Sequence, residues 1–133
     1  DTSSLAAHDL GGAVKTLENV VTERCGFGGL ALTGSSARGV VVRSTAETGI
    51  TAATSTLADV TVSNAKVGIG ANNCTFDHAV VSNNRLDGFS GAGNTIANSV
   101  FRSNAGDGVK GSGNTLRTVT ISATMSPGIR VQA

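Results

Sequence analysis

The stretch GNTIANSVFRSNAGDGVK occupies Gly93–Lys110, and at Gly113 the chain opens the same phrase again with GNTLRT. An echo of this length marks a repeat architecture, in which each period is one unit stacked on its neighbour. With the Thr or Ser that opens each phrase as origin, the echo runs through Thr16, Ser36, Thr56, Thr75, Thr95 and Thr115, in steps of 20, 20, 19, 20 and 20. One position further stand Leu17, Ala37, Leu57, Phe76, Ile96 and Leu116, an apolar column that reads as inward. Four and six positions on, pairs such as Val40/Val42, Val60/Val62 and Val119/Ile121 give the i, i+2 pattern of a short strand with one buried face.

The rest of each period is punctuation. Asn recurs eight or nine positions after the origin (Asn64, then Asn83 and Asn84, then Asn104), where its tolerance of left-handed backbone suits a turn. A Gly followed by an apolar residue comes next in every period, from Gly29-Leu30 to Gly128-Ile129. The short step places one missing turn residue just before Gly68. Apolar spacing of two and frequent Gly exclude a helix of useful length.

Composition agrees. The 133 residues hold 18 Gly, one Pro, four Phe and neither Trp nor Tyr, so large side chains do not build this interior. A formal charge of +1 gives no overall field toward nucleic acid, and no apolar run approaches a membrane span. The expectation is no nucleic-acid partner and no membrane insertion. No basic start with an apolar core marks a signal peptide. Cys25 and Cys74 are too few for a disulfide scaffold and, with two His, match no zinc spacing; they read as buried small hydrophobes.

The rung grammar of TFDHAVVSNNRLDGFSGAGN (75–94) and TIANSVFRSNAGDGVKGSGN (95–114), extended over residues 16–133, resembles the right-handed parallel β-helix of the pectate-lyase-like superfamily, with its carbohydrate-binding and sugar-hydrolysis repeats. The resemblance implies an all-β, single-stranded right-handed parallel β-helix of about six coils of ~20 residues. The handedness comes from the family and from the chirality of β crossovers. Residues 1–15 are expected to form an N-terminal partial coil or cap, with His8-Asp9-Leu10 through Lys15 laid on Gly28-Gly29-Leu30 through Ser35.

In a solenoid, neighbours lie one period apart, so sites are sought in columns. Asp87 and Asp107 are equivalent, and Ser90, Lys110 and Arg130 share a column three positions later. Carried over from the family, stacked carboxylates beside basic groups suggest a polysaccharide lyase in which Asp holds Ca2+ and Lys or Arg abstracts a proton. Lyases of this fold draw several acids from neighbouring strands, however, and the related uronate epimerases use an Asp-Pro-His-Asp cluster absent here. Each Asp also precedes Gly, the place of a turn-forming Asp. Asp77-His78 is the one acid–imidazole pairing that reads as a base dyad, in a column with Glu18, Arg38 and Arg117 and beside Asn19, Asp59 and Asn98; solvated charge on an outer face is the competing reading.

Phe76 and Phe101 fall on inward positions, and Phe27 and Phe89 in the Gly-apolar segment, so no outward aromatic platform for sugars is expected. Asn73-Cys74-Thr75 matches a glycosylation acceptor, a pattern common by chance. The origin column of hydroxyls lacks the second matched Thr column that ice binding generally uses, with only Thr54 and Thr56 so paired.

Five positions after each origin, between two inward residues, Val21, Val41, Thr61, Val80, Val100 and Thr120 form an outward β-branched stripe, which reads as an interface unless residues 1–15 fold over it. The sequence stops just after a strand at 128–133, so either the protein continues or another subunit stacks there. The expectation is therefore a noncatalytic rod, extracellular or on a cell or virion surface, without cofactor, assembling as a homo-oligomer or end to end. The alternative is a polysaccharide-binding or polysaccharide-cleaving domain centred on Asp87, Asp107, Lys110 and Arg130, with Ca2+ only in that case.

Overall fold

Short runs with apolar residues at spacing two, broken by Gly and Asn, become strands joined by corners. The computed structural model describes residues 8–10, 16–26, 28–124 and 128–131, and among these there is no helix. The strands are β1 (His8–Leu10), β2 (Thr16–Glu23), β3 (Leu30–Thr33), β4 (Ser36–Arg43), β5 (Ile50–Ala53), β6 (Thr56–Ser63), β7 (Ile69–Asn72), β8 (Thr75–Ser82), β9 (Phe89–Ala92), β10 (Thr95–Arg102), β11 (Val109–Gly111), β12 (Thr115–Ser122) and β13 (Ile129–Val131). Odd-numbered strands form one parallel sheet and even-numbered strands another, each in chain order. This is a parallel β-helix of six stacked coils.

The register is the one the repeat dictates. Thr16, Ser36, Thr56, Thr75, Thr95 and Thr115 pair in succession, as do Val21, Val41, Thr61, Val80, Val100 and Thr120. The 19-residue step is real: Ile50 pairs with Ile69 and Thr56 with Thr75, whereas the next pairs, Ile69 with Phe89 and Thr75 with Thr95, lie 20 apart. At the N-terminal end β1 adds to β3 with His8 on Leu30 and Leu10 on Leu32, which corrects the expected alignment of Leu10 with Leu30 by two residues. A slip of two preserves a strand's alternation, so pattern alone does not separate the two registers.

Each coil has three corners, and at each of them backbone turns left-handed. The first column of positive φ is Asn19, Gly39, Asp59, His78, Asn98 and Thr118; the second is Arg24, Ser44, Asn64, Asn83, Ser103 and Ala123; the third is Gly34, Thr54, Asn73, Gly93 and Gly113. The first column lies inside the eight-residue strands, which bend there. Asn98 is accordingly skipped in the pairing of β10 with both β8 and β12. A bend replaces strict alternation: in β8 the inward residues are Phe76, Ala79 and Val81, with two outward residues between the first two. The cross-section thus has three faces: a first at Thr95–Ala97, a second at Ser99–Arg102 and a third at Phe89–Ala92.

The residue after each left-handed position points inward, and this builds polar ladders inside an apolar core. At the third corner Ser55, Cys74, Asn94 and Asn114 each receive the backbone N–H of the preceding coil, for example Cys74 N–H to Asn94 Oδ1 at 2.9 Å and Asn94 N–H to Asn114 Oδ1 at 3.0 Å. At the second corner Ala65 N–H donates to Asn84 Oδ1 at 2.8 Å, and Asn84 donates to Asn104. The expectation that all four Asn sit in turns is therefore corrected. Asn64 and Asn83 hold left-handed backbone, while Asn84 and Asn104 are buried ladder rungs. Between the ladders pack Val40, Val60, Ile69 and Ile96, with Phe76, Phe89 and Phe101 in edge-to-face contact at 5.3 and 6.2 Å between ring centres. Phe27 lies outside the described residues.

The Gly that precedes each apolar residue of the third face follows from close approach. A Cβ on Gly49, Gly68 or Gly108 would strike the side chain of Val62, Val81 or Ile121 and the carbonyl of the next coil's Gly. The coil-to-coil distance leaves no room for it.

Candidate functional site

The third face carries two outward columns. One reads Ala31, Thr51, Gly70, Ser90, Lys110, Arg130, and its register is continuous through β3 to β13. The other reads Thr33, Ala53, Asn72, Ala92. Because these side chains are short, the face is an open groove, lined by Ala31, Thr33, Thr51, Ala53, Gly70, Asn72 and Ser90, and beyond Ser90 the first column continues into two cations, Lys110 and Arg130. Asn72 Oδ1 accepts Ala92 N–H at 3.0 Å, and its amide NH2 has no described partner.

The expected quartet comes together at the basic end. Asp107 is buried, with a side chain 4% exposed, and its Oδ2 accepts Arg130 Nε–H at 2.8 Å. Asp107 N–H donates to Asp87 Oδ1 at 2.8 Å, and Lys110 Nζ stands 3.7 Å from Asp87 Oδ2. Each acid is thus paired with the basic residue 23 positions later, one coil on. Asp107 Oδ1 is buried without a partner among the described residues. The equivalent oxygen of Asp87 takes the N–H of the residue one period later; one period beyond Asp107 the sequence has Pro127, which has no N–H to give.

This arrangement does not fit Ca2+. The cation needs six to eight oxygens, whereas both Asp87 oxygens and Asp107 Oδ2 are engaged and the remaining oxygen is out of reach of solvent. Among the described residues no three His, Cys, Asp or Glu cluster as a metal site. No step through calcium follows from these residues.

Asp77 and His78 sit on the first corner, remote from this groove. Asp77 Oδ1 meets His78 Nδ1 at 3.0 Å and accepts Asn98 Nδ2–H at 2.9 Å. The Asn98 hydrogen bond chiefly, with His78 beside it, holds the exposed Asp77 carboxyl below the ordinary range. His78, like Asn19, Asp59 and Asn98 in its column, occupies a left-handed position, so backbone demand accounts for this polar column. The sequence reading of that column as solvated charge missed the shared conformation, although residues that tolerate φ > 0 were its signal. Cys74 supplies no nucleophile. Its thiol is buried, takes Ser55 N–H and donates to Asn72 O, and burial pushes its pKa up. Cys25 and Cys74 are both buried and free, as expected, on different corners.

On the second face the Val21, Val41, Thr61, Val80, Val100, Thr120 column points outward as expected, with Val21 55% exposed. The cover expected from residues 1–15 lies outside the described side chains.

No protein-family model matches the sequence, and no curated protein matches it. Among solved structures the chain is similar to the A-module of the mannuronan C-5 epimerase AlgE4 of Azotobacter vinelandii, with a TM-score of 0.70 and 15% identity over 94% of this chain and 40% of that one. The chain therefore spans less than half the length of that module, and the likeness is one of fold.

Proposed function

We propose that this β-helix is an extracellular polysaccharide-binding module that holds an extended acidic glycan along its third face. The carrying observation is the outward column of that face, small and hydroxylic through Ala31, Thr51, Gly70 and Ser90 and then basic at Lys110 and Arg130. Successive coils stack at ~4.8 Å, close to the advance of one sugar in an extended chain, so successive coils address successive sugars. Short side chains let the polymer approach the backbone, while Thr51, Asn72 and Ser90 offer hydrogen bonds. With no outward aromatic residue described, recognition rests on charge and polar contacts instead of stacking. The fold neighbour acts on mannuronan, an acidic polymer, which agrees with this ligand class.

Binding is favoured over cleavage because Asp87 and Asp107 are committed to partners, and the Asp-Pro-His-Asp run expected of related epimerases is absent. The test is affinity electrophoresis of the chain in gels containing polyuronate or neutral glucan, with parallel assays for unsaturated products with and without calcium. Retardation by polyuronate alone, without new product, is expected. Equal mobility in both gels would remove the reading, and an unsaturated product lost in Asp107→Ala would convert it to a lyase.

Lateral self-association through the Val column is the second reading, favoured by its unbroken register and by exposed Val21. The area is small. Six strands at ~4.8 Å by four residues at ~3.3 Å cover roughly 300–400 Å², below the ~800 Å² per partner of a stable interface. The end-to-end stacking expected at the last coil involves residues 125–127, 132 and 133, which lie outside the described residues.

A further inference from the structure

We propose that Arg130 and Lys110 form a carboxylate-binding subsite at the basic end of the groove, and that Asp107 is the positioning residue that aims Arg130. The natural ligand of this subsite rests on the acidic-glycan reading above; the geometry of the subsite does not. Arg130 spends only Nε on Asp107, at 2.8 Å, and is half-exposed. Its two Nη groups carry no described partner, and the residue stands in register with Lys110 and Ser90. A guanidinium tethered at Nε presents its terminal pair as a planar fork, the geometry that matches a carboxylate with two parallel hydrogen bonds.

Arg43 and Arg85 show the contrast. Arg43 meets Glu23 through Nη2 at 2.6 Å, and Arg85 spends Nη2 on the carbonyls of Thr45 and Ala46 at 3.3 and 2.7 Å. Their forks are already in use.

Asp107 holds Arg130 in place for a reason internal to the fold. Its carboxylate is buried, and among the described residues its Oδ1 has no donor and Arg130 is its one counter-charge. A buried charge with a single partner cannot release that partner to solvent without being left unpaired, so Arg130 stays where Asp107 puts it. Lys110, one coil earlier, is held loosely at 3.7 Å from Asp87 and adds a second cation a strand spacing away. Two acidic groups on neighbouring sugars meet two cations on neighbouring coils.

The experiment follows the arginine side-chain nitrogen signals of the intact chain by NMR during titration with sodium acetate and with a uronate hexasaccharide, alongside affinities for variants. Both probes are expected to shift Arg130 Nη signals saturably and leave Nε–H nearly still. Arg130→Lys keeps a cation for Asp107 but loses the fork, and should weaken hexasaccharide binding about tenfold. Asp107→Asn and Asp107→Leu carry the decisive sign. Removing a negative charge beside an anion site would tighten binding if charge alone mattered, whereas loss of aim weakens it, more for Leu than for Asn. Variants that bind as tightly as the parent or tighter, with native circular dichroism, would overturn the proposal. Saturable acetate shifts at Arg130 without polysaccharide affinity would keep the subsite and remove the glycan reading; polymer binding with unmoved Arg130 signals would do the reverse.

Discussion

Single residues in this rod are constrained by what lies one coil away. Gly91 and Gly111 have φ of 154° and 139°, and a Cβ on Gly91 would fall on the carbonyl of Ala71. Gly91→Ala is expected to cost about 3 kcal/mol, read by urea denaturation. Gly70→Ala, whose Cβ would meet Thr48 Cγ2 at 3.5 Å and Ser90 O at 3.9 Å, both ordinary contacts, should stay within about 0.5 kcal/mol of the parent. Asn94 is buried, takes Cys74 N–H and donates to Ala71 O, so Asn94→Ala strands two backbone groups and should cost about 2–3 kcal/mol. Asp77 is the pH probe. Its folded pKa lies below the unfolded one, so its small contribution is present above the unfolded carboxylate value and fades as pH falls through the folded one. NMR titration should place its midpoint below an ordinary Asp, and Asn98→Ala should move that midpoint up.

Among elements, the eight-residue strand shows what a sequence states and what it conceals. The inward columns from Leu57 to Phe101 were legible because burial of apolar side chains at spacing two is written in residue type. The bend inside the strand was not read, because Asn19, Asp59, His78 and Asn98 suit an exposed polar face and a left-handed corner equally well. The polar ladders escaped for a related reason. Asn84 and Asn94 look like turn residues until the coil before them supplies an N–H that each accepts. The quartet Asp87, Asp107, Lys110 and Arg130 was legible as two columns, yet its 23-residue pairing depends on side-chain reach across a coil, which a period of 20 does not reveal. On the second face, Val41→Lys with Val100→Lys should leave a β-rich circular dichroism spectrum intact and abolish any concentration dependence of sedimentation.

For the molecule as a whole, the period is a unit of editing. Deleting residues 75–94 joins Cys74 to Thr95, the same corner-to-strand junction that Asn94 makes in the intact chain. The shortened chain should keep its β spectrum and lose stability roughly in proportion to one coil, whereas removing residues 75–84 should unfold it. The 19-residue coil shows that a corner absorbs one residue without disturbing the ladders on either side. That ladders join only adjacent coils also governs how the chain finds its shape. Every rung closes a loop of nearly constant, modest length, so winding can begin at one turn and spread in both directions, each finished turn templating the next. The phenylalanine-filled fourth and fifth coils are the natural seed, and amide exchange should then be slowest there and quicken toward both tips.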